Sequence, residues 1–138
     1  FFKEVPLFAT LYLDEALEEL SNAIKEFNPS LLIGSSGTFD TLSEIYTQKN
    51  GVEVAKGASE LPFPIGKFSE IYKELVSKNR EDRLAIPGMI PMRVDMIVVA
   101  TAVIEFILNK HKFKQIKVST YALKEGVLSE IISKELEA

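Results

Sequence analysis

A turn of glycines and hydroxyl residues is the first place in this sequence where chemistry can be expected. Gly34-Ser35-Ser36-Gly37-Thr38 follows a short apolar run and precedes a helical pattern. Unpaired N–H groups and the dipole at a helix start can hold an anionic oxygen, glycine permits close approach, and hydroxyls add donors. We interpret all five residues, Gly34, Ser35, Ser36, Gly37 and Thr38, as candidate phosphate-binding residues. The alternative is a tight turn whose hydroxyls only cap the helix at Ser36 or Thr38. It is not a Walker loop, because no lysine follows its second glycine.

A second candidate for anion binding comes just after the turn Pro87-Gly88-Met89-Ile90-Pro91. Arg93 and Asp95 stand there, at the start of a long apolar stretch. An arginine presents a planar fork that can bind a phosphate through two hydrogen bonds, and an aspartate beside it can hold its orientation. The alternative is a structural ion pair between Arg93 and Asp95, or an Asp95 that only compensates the helix dipole. Arg93 is therefore the sixth candidate phosphate-binding residue.

The other basic residues fit structural roles better than ligand binding. Arg80 and Arg83 belong to a charged turn whose charges balance in solvent. A run of lysines surrounds His111 and could attract a polyanion, but lysines at a helix end and along an edge strand are common. The run consists of Lys110, Lys112, Lys114 and Lys117. We expect His111 itself to be a surface residue at a helix end.

No catalytic set of residues is complete in this sequence. The absence of cysteine excludes a Cys–His pair and a thiolate metal site, and His111 has lysines as neighbours, which argues against a Ser–His–Asp triad. Glu15, Glu18 and Glu19 occupy a polar helix face, and the context of Glu44 does not mark it as a general base. We therefore expect no catalytic residue and no metal ligand among the residues of this chain.

Composition limits the class of protein. With 138 residues, 46% of them hydrophobic, the chain suits one domain over residues 1–138 and is neither disordered nor collagen-like. A net charge of −4 disfavours a nucleic-acid binder. Residues 1–60 carry 10 acidic and 4 basic residues and residues 61–138 carry 10 and 12, so we expect an anion site to take its cations from the second half.

The cellular setting is also an expectation from composition. The absence of cysteine, and of the regions of a signal peptide in residues 1–6, makes a cytoplasmic protein the simpler interpretation. The apolar stretch 96–108 contains Glu105 and is too short to span a bilayer, so no membrane partner is expected. The first residue is not methionine, and we interpret the chain as entered partway through a longer protein.

Hydrophobic periodicity defines the elements that must position these residues. Repeats at three and four residues predict helices, and short apolar or alternating runs bounded by glycine and proline predict strands. The predicted helices span 11–27, 38–50, 68–78, 92–109 and 123–136, and the predicted strands span 31–33 and 113–119, with a further short strand possible at 52–54. The order indicates an α/β architecture, with the apolar helix 92–109 in a central position. Two strands make a poor sheet, so we expect the sheet to pair with missing strands or with another copy.

Three collinear segments resemble the exopolyphosphatase/guanosine pentaphosphate phosphatase (Ppx/GppA) family. They are Leu32-Ile33-Gly34-Ser35-Ser36-Gly37-Thr38-Phe39-Asp40-Thr41-Leu42, then Arg83 to Val99 with the core Pro87-Gly88-Met89-Ile90-Pro91-Met92-Arg93-Val94-Asp95-Met96-Ile97, and then Val118-Ser119 through Leu123-Lys124-Glu125-Gly126-Val127-Leu128. Together they cover most of residues 31–130. The last segment departs from the family pattern, because Ala122 and Lys124 stand where the family often has glycine and arginine.

The resemblance implies a partial lobe of the actin-like, ribonuclease H-like and sugar-kinase-like ATPase superfold, with few strands and packed helices. It also implies a two-lobed enzyme that removes terminal phosphate from inorganic polyphosphate or guanosine pentaphosphate with Mg²⁺ or another divalent cation. In that family the catalytic carboxylate and the aspartate- and glycine-rich phosphate loops lie in the N-terminal portion. The chain thus resembles the C-terminal part of the second lobe, which would place the Gly34–Thr38 turn and Arg93 on the wall of a cleft between lobes.

Three further expectations follow from this resemblance. The chain alone is expected to be inactive, because the base and the metal-binding carboxylates would come from the missing N-terminal lobe. Its partners would be a polyphosphate or guanosine phosphate ligand, that lobe, and a second copy if the sheet pairs in a homodimer. The competing interpretations are a non-catalytic binding or assembly module and a fragment of a sugar kinase or actin-like ATPase.

Overall fold

Helices and a small sheet make up the chain. The computed structural model describes the backbone of residues 7–137 and the side chains of residues 9–136. Residues 1–6, on which the expectation of a chain entered partway rests, lie outside that range. The helices are α1 (Leu7–Ala16), α2 (Glu18–Phe27), α3 (Gly37–Asn50), α4 (Phe68–Ser77), α5 (Arg80–Leu84), α6 (Ile97–Lys110) and α7 (Leu123–Glu137). The strands are β1 (Leu31–Ser35), β2 (Glu60–Leu61) and β3 (Gln115–Ser119), and 3₁₀ turns lie at Ile65–Lys67 and Pro91–Arg93.

The sheet confirms the two main predicted strands and corrects the third. β3 lies between β1 and β2, pairs parallel with β1, and pairs antiparallel with β2. The third strand forms at Glu60–Leu61 and not at 52–54, because Thr120 fixes the chain beside β3 through its N–H to Ser59 O (3.1 Å) and its hydroxyl to Ala58 O (3.0 Å). Within the described residues the lysine-bearing strand β3 is central, so its interpretation as an edge strand is wrong.

Three helix boundaries differ from the predictions. The helix expected over 11–27 is divided at Leu17, whose φ of −110° and ψ of 20° depart from helical values, and it ends at Asn28 in the left-handed conformation. The apolar helix begins at Ile97, because Pro91–Arg93 forms a 3₁₀ turn first. The charged turn at Arg80 is a short helix whose Asn79 side chain accepts a hydrogen bond from the Asp82 N–H at 2.9 Å.

The core lies on one face of the sheet. Leu42 and Ile45 of α3 are fully buried beside Leu75 of α4 and Val118 of β3. Phe63 and Phe68 add an edge-to-face aromatic pair at 6.5 Å between ring centroids. Along α6 only one face is buried, and Val99 is 60% exposed, so this helix is less central than its composition predicts.

Candidate phosphate-binding site

The turn between β1 and α3 depends on the close packing of an aromatic ring against the backbone of Gly34. A Cβ at Gly34 would lie 2.1 Å from Cγ of Phe39, so the Phe39 ring packs directly on the glycine. Gly34 is buried in the sheet opposite Val118, beneath the turn. Its observed role is packing, and it brings the start of α3 close to the end of β1. Ser35, Ser36, Gly37 and Thr38 then line a cleft above it.

The backbone of this turn is held in an unusual conformation. Ser36 has φ 60° and ψ 170°, a region that is essentially restricted to glycine, and Gly37 has φ 35°. Ser36 occupies the N-cap position of α3, but its side chain makes no capping hydrogen bond, and Thr38 lies inside the helix. The alternative in which these hydroxyls serve only as caps is therefore wrong. Ser36 is exposed, so its hydroxyl is accessible from solvent.

The N–H groups at the start of α3 are suited to bind an anion. Ser36 O accepts the Phe39 N–H at 3.0 Å, while Gly37 and Thr38, as the first two helical residues, have no intrahelical acceptor. Thr41 donates its hydroxyl to Gly37 O at 2.9 Å, which stabilises the first turn. The helix dipole adds partial positive charge at the same point.

Arg93 lies directly against this turn although 56 residues separate it from Gly37. A Cβ at Gly37 would lie 2.9 Å from both Cζ and Nη1 of Arg93, so the glycine leaves room for the guanidinium. In the part of the chain that the structure describes, no ion pair involves Arg93. The guanidinium and the free N–H groups thus share one cleft of about 440 Å³, whose other wall is apolar. That wall is formed by Ala100, Val103 and Ile104.

Asp95 does not orient Arg93 as the sequence suggested. Its Oδ1 accepts a hydrogen bond from Nε of Arg80 at 2.9 Å, in an ion pair that is more than half exposed. The prediction that Arg83 is a solvated residue of a charged turn is also wrong. Arg83 is half-buried and donates hydrogen bonds to backbone carbonyls. The periodic pattern alone could not separate these arginines, since both belong to the same short charged segment.

Two of the four lysines in the basic run around His111 form ion pairs with residues that are distant in the sequence. Lys110 pairs with Asp14, and Lys117 pairs with Glu60 at 2.9 Å. His111 is buried at the end of α6 and not at the surface, and this burial, followed by the charges of Lys110 and Lys25, lowers its pKa below the usual value. These ion pairs leave Lys110 and Lys117 less available than Arg93 for binding an anion.

The carboxylates of the described residues do not fit a divalent cation site. No three histidine, aspartate or glutamate side chains converge within residues 9–136. The carboxylate closest in sequence to Arg93 is that of Asp95, which pairs with Arg80. Over the described helices, none has both the length and the apolar character needed to cross a bilayer.

Comparisons with known proteins agree with this architecture. The chain is similar to the crystal structure of an exopolyphosphatase from Cytophaga hutchinsonii, with 42% identity and a TM-score of 0.83 over 91% of this chain and 40% of that one. It is also similar in fold to the Aquifex aeolicus member of the Ppx/GppA family, with 20% identity and a TM-score of 0.69 over 98% of this chain and 44% of that one. The chain spans less than half the length of either structure. Curated protein sequences give no match.

The family assignment rests on nearly the whole chain. The two solved structures to which the chain is similar have the actin-like fold, which confirms the α/β fold class predicted from the sequence. The model of the Ppx/GppA phosphatase family matches residues 3–135. The three motifs that suggested this assignment lie inside that range, and the chain therefore belongs to the Ppx/GppA phosphatase family.

Proposed function

We propose that this chain is the phosphate-binding part of a phosphoanhydride hydrolase that acts on inorganic polyphosphate or guanosine pentaphosphate. The observation that carries the proposal is the placement of the Arg93 guanidinium against Gly37, beside the start of α3. Family membership and the similarity to an exopolyphosphatase support the reaction class. The site residues in this proposal are Arg93 with the turn from Gly34 to Thr38.

The chemistry assigned to this cleft is electrostatic. The N–H groups of Gly37 and Thr38 donate to one phosphoryl oxygen, and Arg93 donates to others through its planar fork. Hydrolysis of a phosphoanhydride develops charge on these oxygens, so preorganised donors lower the barrier. The water-orienting base and any Mg²⁺ ligands are assigned to residues outside this chain. In this proposal the chain binds phosphate but does not hydrolyse it alone, and it acts in the cytoplasm.

A binding or assembly role is the second candidate function, and α7 favours it. Several aliphatic side chains on this helix are about half exposed or more, which is unusual for a helix that is not an interface. They are Leu123, Val127, Leu128, Ile131 and Ile132. Leu123, Val127, Leu128 and Ile131 line a cavity that also includes Ser36, so the apolar side chains of α7 adjoin the phosphate-binding turn. The two candidates are separated by testing the cleft directly.

The test of the leading proposal is substitution of Arg93. Arg93→Ala removes the one guanidinium in the cleft and leaves the buried core untouched, so we expect affinity for a medium-length polyphosphate to fall by about tenfold or more, with folding retained. Isothermal titration at low and moderate salt measures the affinity, and circular dichroism verifies the fold. Lys112→Ala is the control for loss of one positive charge and should reduce affinity only slightly. Equal losses in both variants, or no loss at Arg93→Ala, would contradict the proposal.

A further inference from the structure

Arg83 makes the most extensive set of side-chain hydrogen bonds of the arginines in the described residues. Its Nε donates to Lys78 O at 3.2 Å and to Asn79 O at 3.3 Å. Its Nη1 donates to Val94 O at 3.0 Å. One half-buried guanidinium thus joins the end of α4 and the start of α5 to the segment that carries Arg93.

The carbonyl that Arg83 reaches belongs to the residue next to Arg93. Val94 is fully buried, so its backbone cannot turn without disturbing the core. The Arg93 N–H itself donates to Ile90 O at 2.8 Å, within the 3₁₀ turn. A hydrogen bond to Val94 O therefore fixes the exit of this turn, while the core holds the side chain of the same residue.

The beginning of the segment is held by a different contact. Gly88 has φ 85°, and a Cβ there would lie 2.4 Å from Glu44 O of α3. The Pro87-Gly88 turn is thus seated on the helix that also presents the N–H groups of the cleft. Because Gly88 fixes one end and Arg83 the other, the 3₁₀ turn between them has a defined position over α3.

The neighbouring arginine cannot perform the same task. Among the described residues, Arg80 is hydrogen-bonded to this segment through Asp95, and the two side chains are 57% and 67% exposed. Exposed ion pairs contribute little and are screened by salt. Arg83 instead donates to neutral carbonyls from a half-buried position, where salt has less effect.

We infer that Arg83 is a positioning residue for the phosphate site: by holding Val94 O it sets where the Arg93 guanidinium stands over the Gly34–Thr38 turn. This inference rests on the proposed function for its effect on ligand binding. Its structural part, the placement of Arg93 against Gly37, can be measured without a ligand. Lysine is a poor replacement, because a single ammonium cannot reach carbonyls on two sides as the planar fork does.

The first test is a double-mutant cycle on polyphosphate affinity. We expect Arg83→Ala to weaken binding about fivefold and Arg83→Lys to restore only part of the loss. In the Arg93→Ala background, Arg83→Ala should have no further effect, because its contribution passes through Arg93. Arg80→Ala is the matched control and should change affinity less than twofold. An unchanged affinity for Arg83→Ala, or an equal loss in both backgrounds, would overturn the inference while leaving the proposed function intact.

The second test keeps the inference falsifiable if the chain fails to bind polyphosphate. In the ligand-free protein, the amide resonance of Gly37 should shift in Arg83→Ala and in Arg83→Lys but not in Arg80→Ala, because only Arg83 sets the guanidinium beside it. If Arg83→Ala does not fold, Arg83→Lys supplies the measurement. A Gly37 resonance that stays in place in the folded Arg83 variants would overturn the inference, whatever the binding data show.

Discussion

Two strand–turn–helix units leave the sheet at the same end of their parallel strands, but only one of the two helices is packed against the sheet. β1 leads into α3 and β3 leads into α7, and the last residues of the two parallel strands, Ser35 and Ser119, are paired in register. In the first unit a single residue separates strand from helix, and the helix packs on the sheet. In the second unit three residues intervene, and α7 leaves its apolar side chains exposed.

The difference at the helix starts explains why only one of them is a candidate anion site. In α7 the Glu125 carboxylate accepts the Ala122 N–H at 2.8 Å, so the helix start is already capped by a negative charge. In α3 the Ser36 side chain makes no cap, and Arg93 adds a positive charge. A helix N-terminus is thus a usable anion site where its own side chains leave the N–H groups free and a cation stands beside them.

The largest expected effect concerns the packing of the two helices. Leu42→Ala in α3 removes a fully buried side chain and should lower the free energy of unfolding by about 3 kcal/mol. Leu128→Ala in α7, where the side chain is 56% exposed, should change it by less than about 0.5 kcal/mol. Urea unfolding of this chain compares the two. Similar losses in both variants would mean that α7 is packed in solution, and the comparison would fail.

A smaller effect is expected from adding a methyl group to each helix. Gly37→Ala places a side chain at positive φ, which costs about 1–2 kcal/mol, and it displaces the flexible end of Arg93. We expect polyphosphate affinity to fall with it. Gly126→Ala in α7 meets no atom within 4 Å and should stabilise the chain by about 0.5–1 kcal/mol, as alanine does in a helix interior. Thermal unfolding and titration with polyphosphate are the measurements. An unchanged polyphosphate affinity in the Gly37→Ala variant would show that Gly37 is not part of the binding site.

The smallest effect concerns the negative charge of Glu125 at the start of α7. Hydrogen bonds from the Ala122 N–H and then from the N–H of Glu125 itself, followed by the contacts with Lys124, lower the pKa of Glu125. Because the folded-state pKa is lowered, the stabilisation is present above the ordinary glutamate pKa of 4.5 and is lost as the pH falls through the folded-state pKa. Glu125→Gln should therefore be slightly less stable than the parent at pH 7, and the difference should disappear as the pH falls through the folded-state pKa of Glu125. A difference that persists unchanged at low pH would show that the charge of Glu125 is not the cause.

Local patterns predicted most of the elements but not their surroundings. Periodicity and the stop at Gly51 predicted α3, and the alternation of Ile116 and Val118 predicted β3. The sequence could not show that β3 is central in the described sheet or that β2 forms at Glu60–Leu61, because strand pairing joins residues about 60 positions apart. The break at Leu17 was missed for a similar reason, since its neighbours on both sides keep helical spacing.

The sequence likewise predicted the separate parts of the candidate site but not their arrangement. The turn and Arg93 were identified as separate motifs from residue type and position alone. The sequence did not show that the turn and Arg93 lie together. It also did not show that Asp95 pairs with Arg80 and not with Arg93, or that Arg83 donates a hydrogen bond to Val94 O. The strained φ of Ser36 also had no signal in the sequence, because serine is an unfavourable residue for that conformation.

The sequence by itself determined the α/β class, the strand–turn–helix unit at Gly34–Thr38 and the motifs of the Ppx/GppA family. Those features depend on hydrogen bonds and apolar spacing within a few residues, which are written locally in the chain. Only the tertiary structure decided that Arg93 stands against Gly37, that the α3 start stays uncapped, and that α7 remains exposed. Such features depend on which distant surfaces bury one another, and burial is a property of the packed molecule as a whole.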